Sequence, residues 1–223
     1  MSQPENYWLG SYGRWGGGRI VGAVGIAILV AITINTALTK PNGATGIPPG
    51  QRLAPFAVPL ALSDLQGEAN VATHRNDGSA GSTPACTVRG ARILNICQLD
   101  ERGPVVLALF VNSGSCAGVL GDMQRLAPSF PGVRFAAVAI KGDRGQLRRL
   151  VRSRGLTFPV GIDKDGALVV LYKIASCPQV TFAYPGGVVQ SKALLARPPI
   201  ATLRARIGEL VAAARARGWR GSA

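Results

Sequence analysis

Histidine, acidic side chains and long apolar runs are scarce in this sequence, and cysteines spaced two residues apart are missing altogether. With one histidine, His74, and no C-x-x-C, zinc or haem ligation has no ligand set, and no cofactor is expected. "DKDG" at 163–166 resembles the opening of a calcium loop, but the remaining ligands are absent and a turn is expected instead. "GGG" at 16–18 precedes an apolar run rather than a phosphate-binding helix, so it is no P-loop. Asp and Glu number 11 against 25 Lys and Arg, a formal net charge of +14. Such a balance invites a nucleic-acid reading. The distribution argues against it. Arginines cluster in two helix-like stretches, 141–154 and 197–220, without zinc-finger spacing or an RNA-binding signature, and Trp219 is their one aromatic residue. Solvated helix faces are expected there, with affinity for anionic lipid headgroups as the sharper alternative. No nucleic-acid partner is expected.

What is present begins with one apolar run of membrane length. Residues 20–38, "IVGAVGIAILVAITINTAL", carry no charge. At 1.5 Å per residue they would span about 28 Å, close to the hydrocarbon thickness of a bilayer. Thr33, Asn35 and Thr36 place the polar groups in the second half. The preceding tail, 1–19, holds Arg14 and Arg19 with Tyr7, Trp8, Tyr12 and Trp15, aromatics suited to a membrane interface. Only Lys40 follows closely, so charge asymmetry favours a cytoplasmic tail, a single-pass transmembrane helix and an extracytoplasmic C-terminal domain. A cleaved signal peptide is the alternative. Residues 39–52, rich in Gly and Pro, read as a linker, and a domain is expected over 53–218.

Hydrophobic residues make up 47% of the chain, enough for a sizeable core. "APFAVPLAL" reads as an early strand, and "ACTVRGARILNICQL" (85–99) as a hairpin. "GPVVLALFV" (103–111) is the continuous apolar run of a strand buried on both faces. Helical spacing follows at Val119, Leu120, Met123 and Leu126. A strand over 133–140, a helix over 143–155 and a short strand "TFPVGID" come next, then a short helix "DGALVVLYKI". "PQVTFAY" and "GVVQSKAL" flank Pro185-Gly186-Gly187 as a hairpin, and "PPIATLRARIGELVAAARARG" closes as an amphipathic helix. The order β-α-β-α-β-α-β-β-α implies an α/β fold: a mixed central sheet, its first strands parallel through right-handed crossovers, flanked by helices in three layers.

Four cysteines allow three pairings. Cys86 and Cys97 are eleven apart and would face each other if their segment were a hairpin, as a structural disulfide contributing about 2–3 kcal/mol.

A strand ending in "FVNSGSC", a helix after the cysteine, and "SCPQVTFAYPGGVV" some sixty residues later resemble the thioredoxin-like superfamily. More narrowly, the chain resembles the membrane-anchored redoxin proteins of bacteria, the AhpC/TSA and TlpA-type thiol-disulfide oxidoreductases. "LAPFAVP" is similar to their entry segment, and "VGIDKDGALVVLYKIASCPQVTFAYPGGVV" to their second half. The resemblance implies a thioredoxin-like fold with an N-terminal β extension, and a cis-proline at Pro178. It departs at the cysteine motif: Ala117, Gly118 and Val119 follow Cys116, so the usual second thiol is apolar, and Gly114-Ser115 stands where the family has tryptophan. In the family the residue before the cis-proline lies beside the motif's first cysteine; here it is Cys177.

The resemblance therefore implies that Cys116 pairs with Cys177, leaving Cys86 with Cys97. A helix N-terminus next to Cys116 favours its thiolate, the attacking and leaving species in exchange. The expected catalytic set is Cys116 as nucleophile, Cys177 as resolving thiol and Pro178 beside them, acting on protein thiols or disulfides of the cell envelope. Two other readings stand beside it. One is a non-catalytic binding scaffold with static disulfides. The other is a peroxidase, since Ser113-x-x-Cys116 echoes the peroxiredoxin motif, although its leading proline is absent.

Overall fold

The computed structural model describes residues 22–31 and 46–221. The chain divides into two compact units, Met1–Gly43 and Ala44–Ala223. In the first, residues 22–31 form helix α1, with Val24, Ile26, Ile28 and Val30 exposed. Among the described residues no helix is long and apolar enough to cross a membrane. Positions 20–21 and 32–38 of the expected span lie outside the described residues, as does the 1–19 tail.

The second unit is built on a five-stranded sheet in the order β5-β4-β3-β6-β7. Strands β3 (Val105–Phe110), β4 (Arg134–Ile140) and β5 (Val160–Asp163) run parallel. β6 (Gln179–Ala183) and the two-residue β7 (Leu194–Leu195) are antiparallel additions. All six residues of β3 are buried, as befits a central strand with both faces covered. Its alternation splits the core. Val106, Ala108 and Phe110 face one cluster with Val119, Met123, Leu147, Leu203 and Ile207. Val105, Leu107 and Leu109 face another with Phe56, Val58, Leu94, Leu168 and Tyr172. Helices α3 (Gly118–Leu126), α4 (Arg144–Ser153) and α6 (Ile200–Ala216) supply the first layer. The opposite layer combines α5 (Ala167–Leu171) with an N-terminal extension, in which β1 (Ala57–Pro59) pairs antiparallel with β2 (Ile93–Asn95).

Local chemistry explains several boundaries. Asp143 caps α4 by accepting from the Gln146 amide, filling one of the helix's unpaired donors. The buried Asp163 carboxylate accepts from the amides of Gly166, Ala167 and Leu168 and so fixes the start of α5. Gly161 is required by close approach: a β-carbon there would lie 2.5 Å from Val58 Cγ2, where the extension crosses β5.

Three sequence expectations change. The segment 85–99 is no hairpin. It holds a 3₁₀ turn at Ala85–Thr87, then β2 and helix α2 (Ile96–Asp100), because buried Asn95 caps α2 at Gln98 and donates to the carbonyls of Ala85 and Val88. The strand expected over "GVVQSKAL" is broken. Val189 bridges Ala183, and regular pairing resumes only at β7. Finally, residues 46–52 of the expected linker pack on the domain. Ile47 is buried, Gly50 donates to the Val189 carbonyl at 2.9 Å, and Arg52 bridges Val188.

Candidate active site: a disulfide across the cis-proline loop

β3 delivers the chain to the site. After Phe110 the backbone leaves the sheet at Val111 and turns through residues 112–117. The turn is closed by bonds from the Ser113 amide to the Val111 carbonyl (2.7 Å), from Ala117 to Ser113 (3.3 Å) and from Gly118 to Ser115 (3.0 Å). Cys116 therefore sits two residues before α3, with Ala117 as the helix cap. It is 6% exposed and belongs to the core cluster under α3. Val119, at the position of the family's second cysteine, is fully buried in the same cluster.

Cys177 arrives from the segment between α5 and β6, and the Cys177–Pro178 peptide is cis. Cys116 and Cys177 form a disulfide with a Cα–Cα distance of 5.3 Å. The Val111 N–H donates to both sulfurs, at 3.2 Å to Cys116 Sγ and 3.0 Å to Cys177 Sγ. A donor in that place favours a sulfur carrying negative charge. The cis-proline loop is itself held, since the Ala196 amide donates to the Pro178 carbonyl at 2.9 Å and to Ser176 Oγ at 3.2 Å. Beside Cys177 lies an apolar groove of about 290 Å³, walled by Leu109, Val111, Ile140, Val169 and Ile174. Val111 is 44% exposed there.

Two arginines that sequence reasoning did not place reach the Cys116 turn. Arg154, just past α4, donates to the Ala117 carbonyl. Arg197, between β7 and α6, pairs with buried Asp122 of α3 through Nε at 2.9 Å and Nη2 at 3.3 Å. Arg125 also bonds Asp122. The Arg197 guanidinium lies against Gly118, where a β-carbon would come within 2.8 Å of Nη1, so the absent side chain makes room for it. Burial works to raise the Asp122 pKa, but the hydrogen bonds from Arg197 and Arg125 outweigh it and hold the carboxyl below its ordinary range. Spacings of 37 and 75 residues give no sequence signal for these contacts.

The other cysteines lie apart from this set. Cys86 of the 3₁₀ turn and Cys97 of α2 form a disulfide with Cα atoms 5.4 Å apart. No described cysteine is free. His74 is exposed and contacts Thr73. Among the described residues no group of three or more His, Cys, Asp or Glu is arranged to hold a metal ion. Two carboxyls away from the disulfide are raised to about 6: Asp100, by burial and then by Glu101, and Asp163, chiefly by burial.

No family model matches the sequence. The thiol-disulfide oxidoreductase ResA of Oceanobacillus iheyensis is 27% identical over 99 residues, an alignment covering 44% of this chain and 52% of that protein. The chain thus spans about half the length of that curated relative. A putative thiol:disulfide interchange protein DsbE from Chlorobium tepidum matches in structure with a TM-score of 0.55 at 15% identity, over 75% of this chain and 98% of the other. The thioredoxin domain of a thiol-disulfide oxidoreductase from Bacteroides vulgatus gives 0.53 at 10% identity, over 74% and 99%. With the sheet order, the helix after Cys116 and the cis-proline loop already in place, these likenesses show that the domain has a thioredoxin-like fold.

Proposed function

We propose that the protein is a thiol-disulfide oxidoreductase whose Cys116–Cys177 pair cycles between disulfide and dithiol on protein substrates outside the cytoplasm. The observation that carries the reading is the placement of both sulfurs under one shared N–H donor at the end of β3, with Cys177 lining an accessible apolar groove. A disulfide that only tied helix to loop would need neither. The pair takes the place of C-x-x-C, with the second thiol moved from the helix to the residue before Pro178. Pro178, buried and joined to Cys177 by the cis peptide, is the positioning residue in this reading. The apolar run at 20–38 supports tethering to a membrane, which would keep the domain where disulfides persist. The test is a redox titration of the full chain with thiol mapping, coupled to dithiol-driven reduction of a protein disulfide. Reversible reduction of Cys116–Cys177, with turnover lost in Cys116→Ser and Cys177→Ser, is expected. A bond that resists the titration would leave a static scaffold, a reading favoured by the buried Val119 where a resolving cysteine is usual.

A further inference from the structure

Resting on that reading, we infer that the two cysteines divide their work opposite to the order their positions suggest: Cys177 is the sulfur that exchanges with substrate, and Cys116 is the buried leaving and resolving thiol. Exchange at a disulfide depends on which sulfur an incoming thiolate can reach and on which sulfur leaves more readily as a thiolate.

Access separates the two. Cys116 is 6% exposed, inside the core cluster with Ala117, Val119 and Leu120. Cys177 is partly exposed and only packs against that cluster. The groove beside the site is walled by Cys177 and its neighbours Ala175 and Ser176, and Cys116 contributes nothing to it. A substrate segment seated on Val111 and Val169 would meet the Cys177 sulfur.

Leaving ability separates them in the same sense. Cys116 immediately precedes the cap of the nine-residue α3, whose dipole favours an anion there. Arg154 contacts the Ala117 carbonyl and Arg197 lies on Gly118, so two guanidinium groups brace the backbone just after Cys116. Asp122 offsets part of that charge, and Arg125 adds to it. Residues 111–117 and 174–178 carry no ionisable group other than the two cysteines. Among the described residues, nothing comparable supports Cys177 except the Val111 N–H that both sulfurs share.

The resulting exchange balances two electrons between the substrate and the pair, and a second protein disulfide returns the pair to its oxidised form. A substrate thiolate attacks Cys177 Sγ, forming a substrate–Cys177 disulfide and releasing the Cys116 thiolate. A second substrate thiolate then attacks the first substrate sulfur and releases Cys177, so the substrate is oxidised by two electrons and the pair reduced by two. Run backwards, the Cys177 thiolate attacks a substrate disulfide and Cys116 resolves it.

The experiment uses the oxidised full-length chain and limiting reduced glutathione. The reaction is quenched in acid, free thiols are blocked with N-ethylmaleimide, and peptides are mapped by mass spectrometry. Glutathione on Cys177 with maleimide on Cys116, in about tenfold excess over the reverse, is the expected result. Glutathione mainly on Cys116, or shared equally, would overturn the assignment while leaving the oxidoreductase reading intact. A disulfide that neither glutathione nor dithiothreitol opens would overturn both.

Discussion

The two disulfides of the domain are nearly alike as cross-links and unlike as chemical sites. Their Cα separations are 5.4 Å for Cys86–Cys97 and 5.3 Å for Cys116–Cys177. Around Cys86–Cys97 the polar groups are spent on holding backbone. Asn95 satisfies the carbonyls of Ala85 and Val88, while Arg89 bonds the Cys86 carbonyl and pairs with Glu101. Around Cys116–Cys177 they converge on the sulfurs and on the turn that carries one of them: the Val111 N–H, the start of α3, Arg154 and Arg197. One bond sits in a network that fixes a fold, the other beside an open groove. Reach between cysteines does not distinguish a staple from the proposed exchange site; the surroundings of the sulfurs differ.

The largest effect that would break this comparison lies at the proposed exchange site. Cys116→Ser or Cys177→Ser should reduce dithiol-driven exchange to the uncatalysed background, whereas the double variant Cys86→Ala/Cys97→Ala should keep exchange. The double variant should instead lose about 2–3 kcal/mol of stability, as expected for release of a short loop, measured by chemical denaturation. Exchange lost in the double variant would place both bonds in one functional unit.

A middle-sized effect concerns pH. Asp100 and Asp163 have folded pKa values near 6, above the ordinary 3.8, so the folded state binds more protons than the unfolded one between those values. Stability should therefore fall as pH rises from about 4 to about 6. Asp100→Asn should flatten that slope in denaturation curves taken across the range, and an unchanged slope would contradict it. Asp122 acts in the opposite sense. Its lowered pKa gives a share of stability that is present above the ordinary carboxylate range and is lost as pH falls through its folded value.

The smallest expected effect sharpens the comparison most finely. Arg197→Gln removes charge next to the Cys116 turn, but the side chain is 45% exposed and solvent screens it. Alkylation of Cys116 in the reduced protein at neutral pH should be modestly slower, with Arg197→Lys restoring most of the rate. Alkylation of Cys86 and Cys97, once opened, should not respond.

Much of this architecture is legible in the sequence because its signals are local. β3 is a continuous apolar run and β4 is one after Arg134, α3 and α4 carry helical spacing, and Pro185-Gly186-Gly187 marks a turn. The failures are physical as well. At 85–99 the β-branched residues suggest strands, but the capping side chain of Asn95 redirects the chain into α2. Beyond Val189, Gln190 and Ser191 are partly buried, and buried side-chain oxygens in both have no protein partner. That segment offers little alternation, and only a two-residue strand survives. At the site, Cys116 and Cys177 were legible through family resemblance, not through spacing. The contacts of Arg154 and Arg197, and the donor role of the Val111 N–H, exist only once the fold has brought distant segments together.

The most direct test is a glutathione redox titration of the intact chain in which each disulfide is followed separately by thiol mapping. The account predicts that Cys116–Cys177 opens first, at a potential above about −300 mV, while Cys86–Cys97 stays closed to lower potentials. Opening of Cys86–Cys97 first, or a Cys116–Cys177 potential below that value, would contradict it.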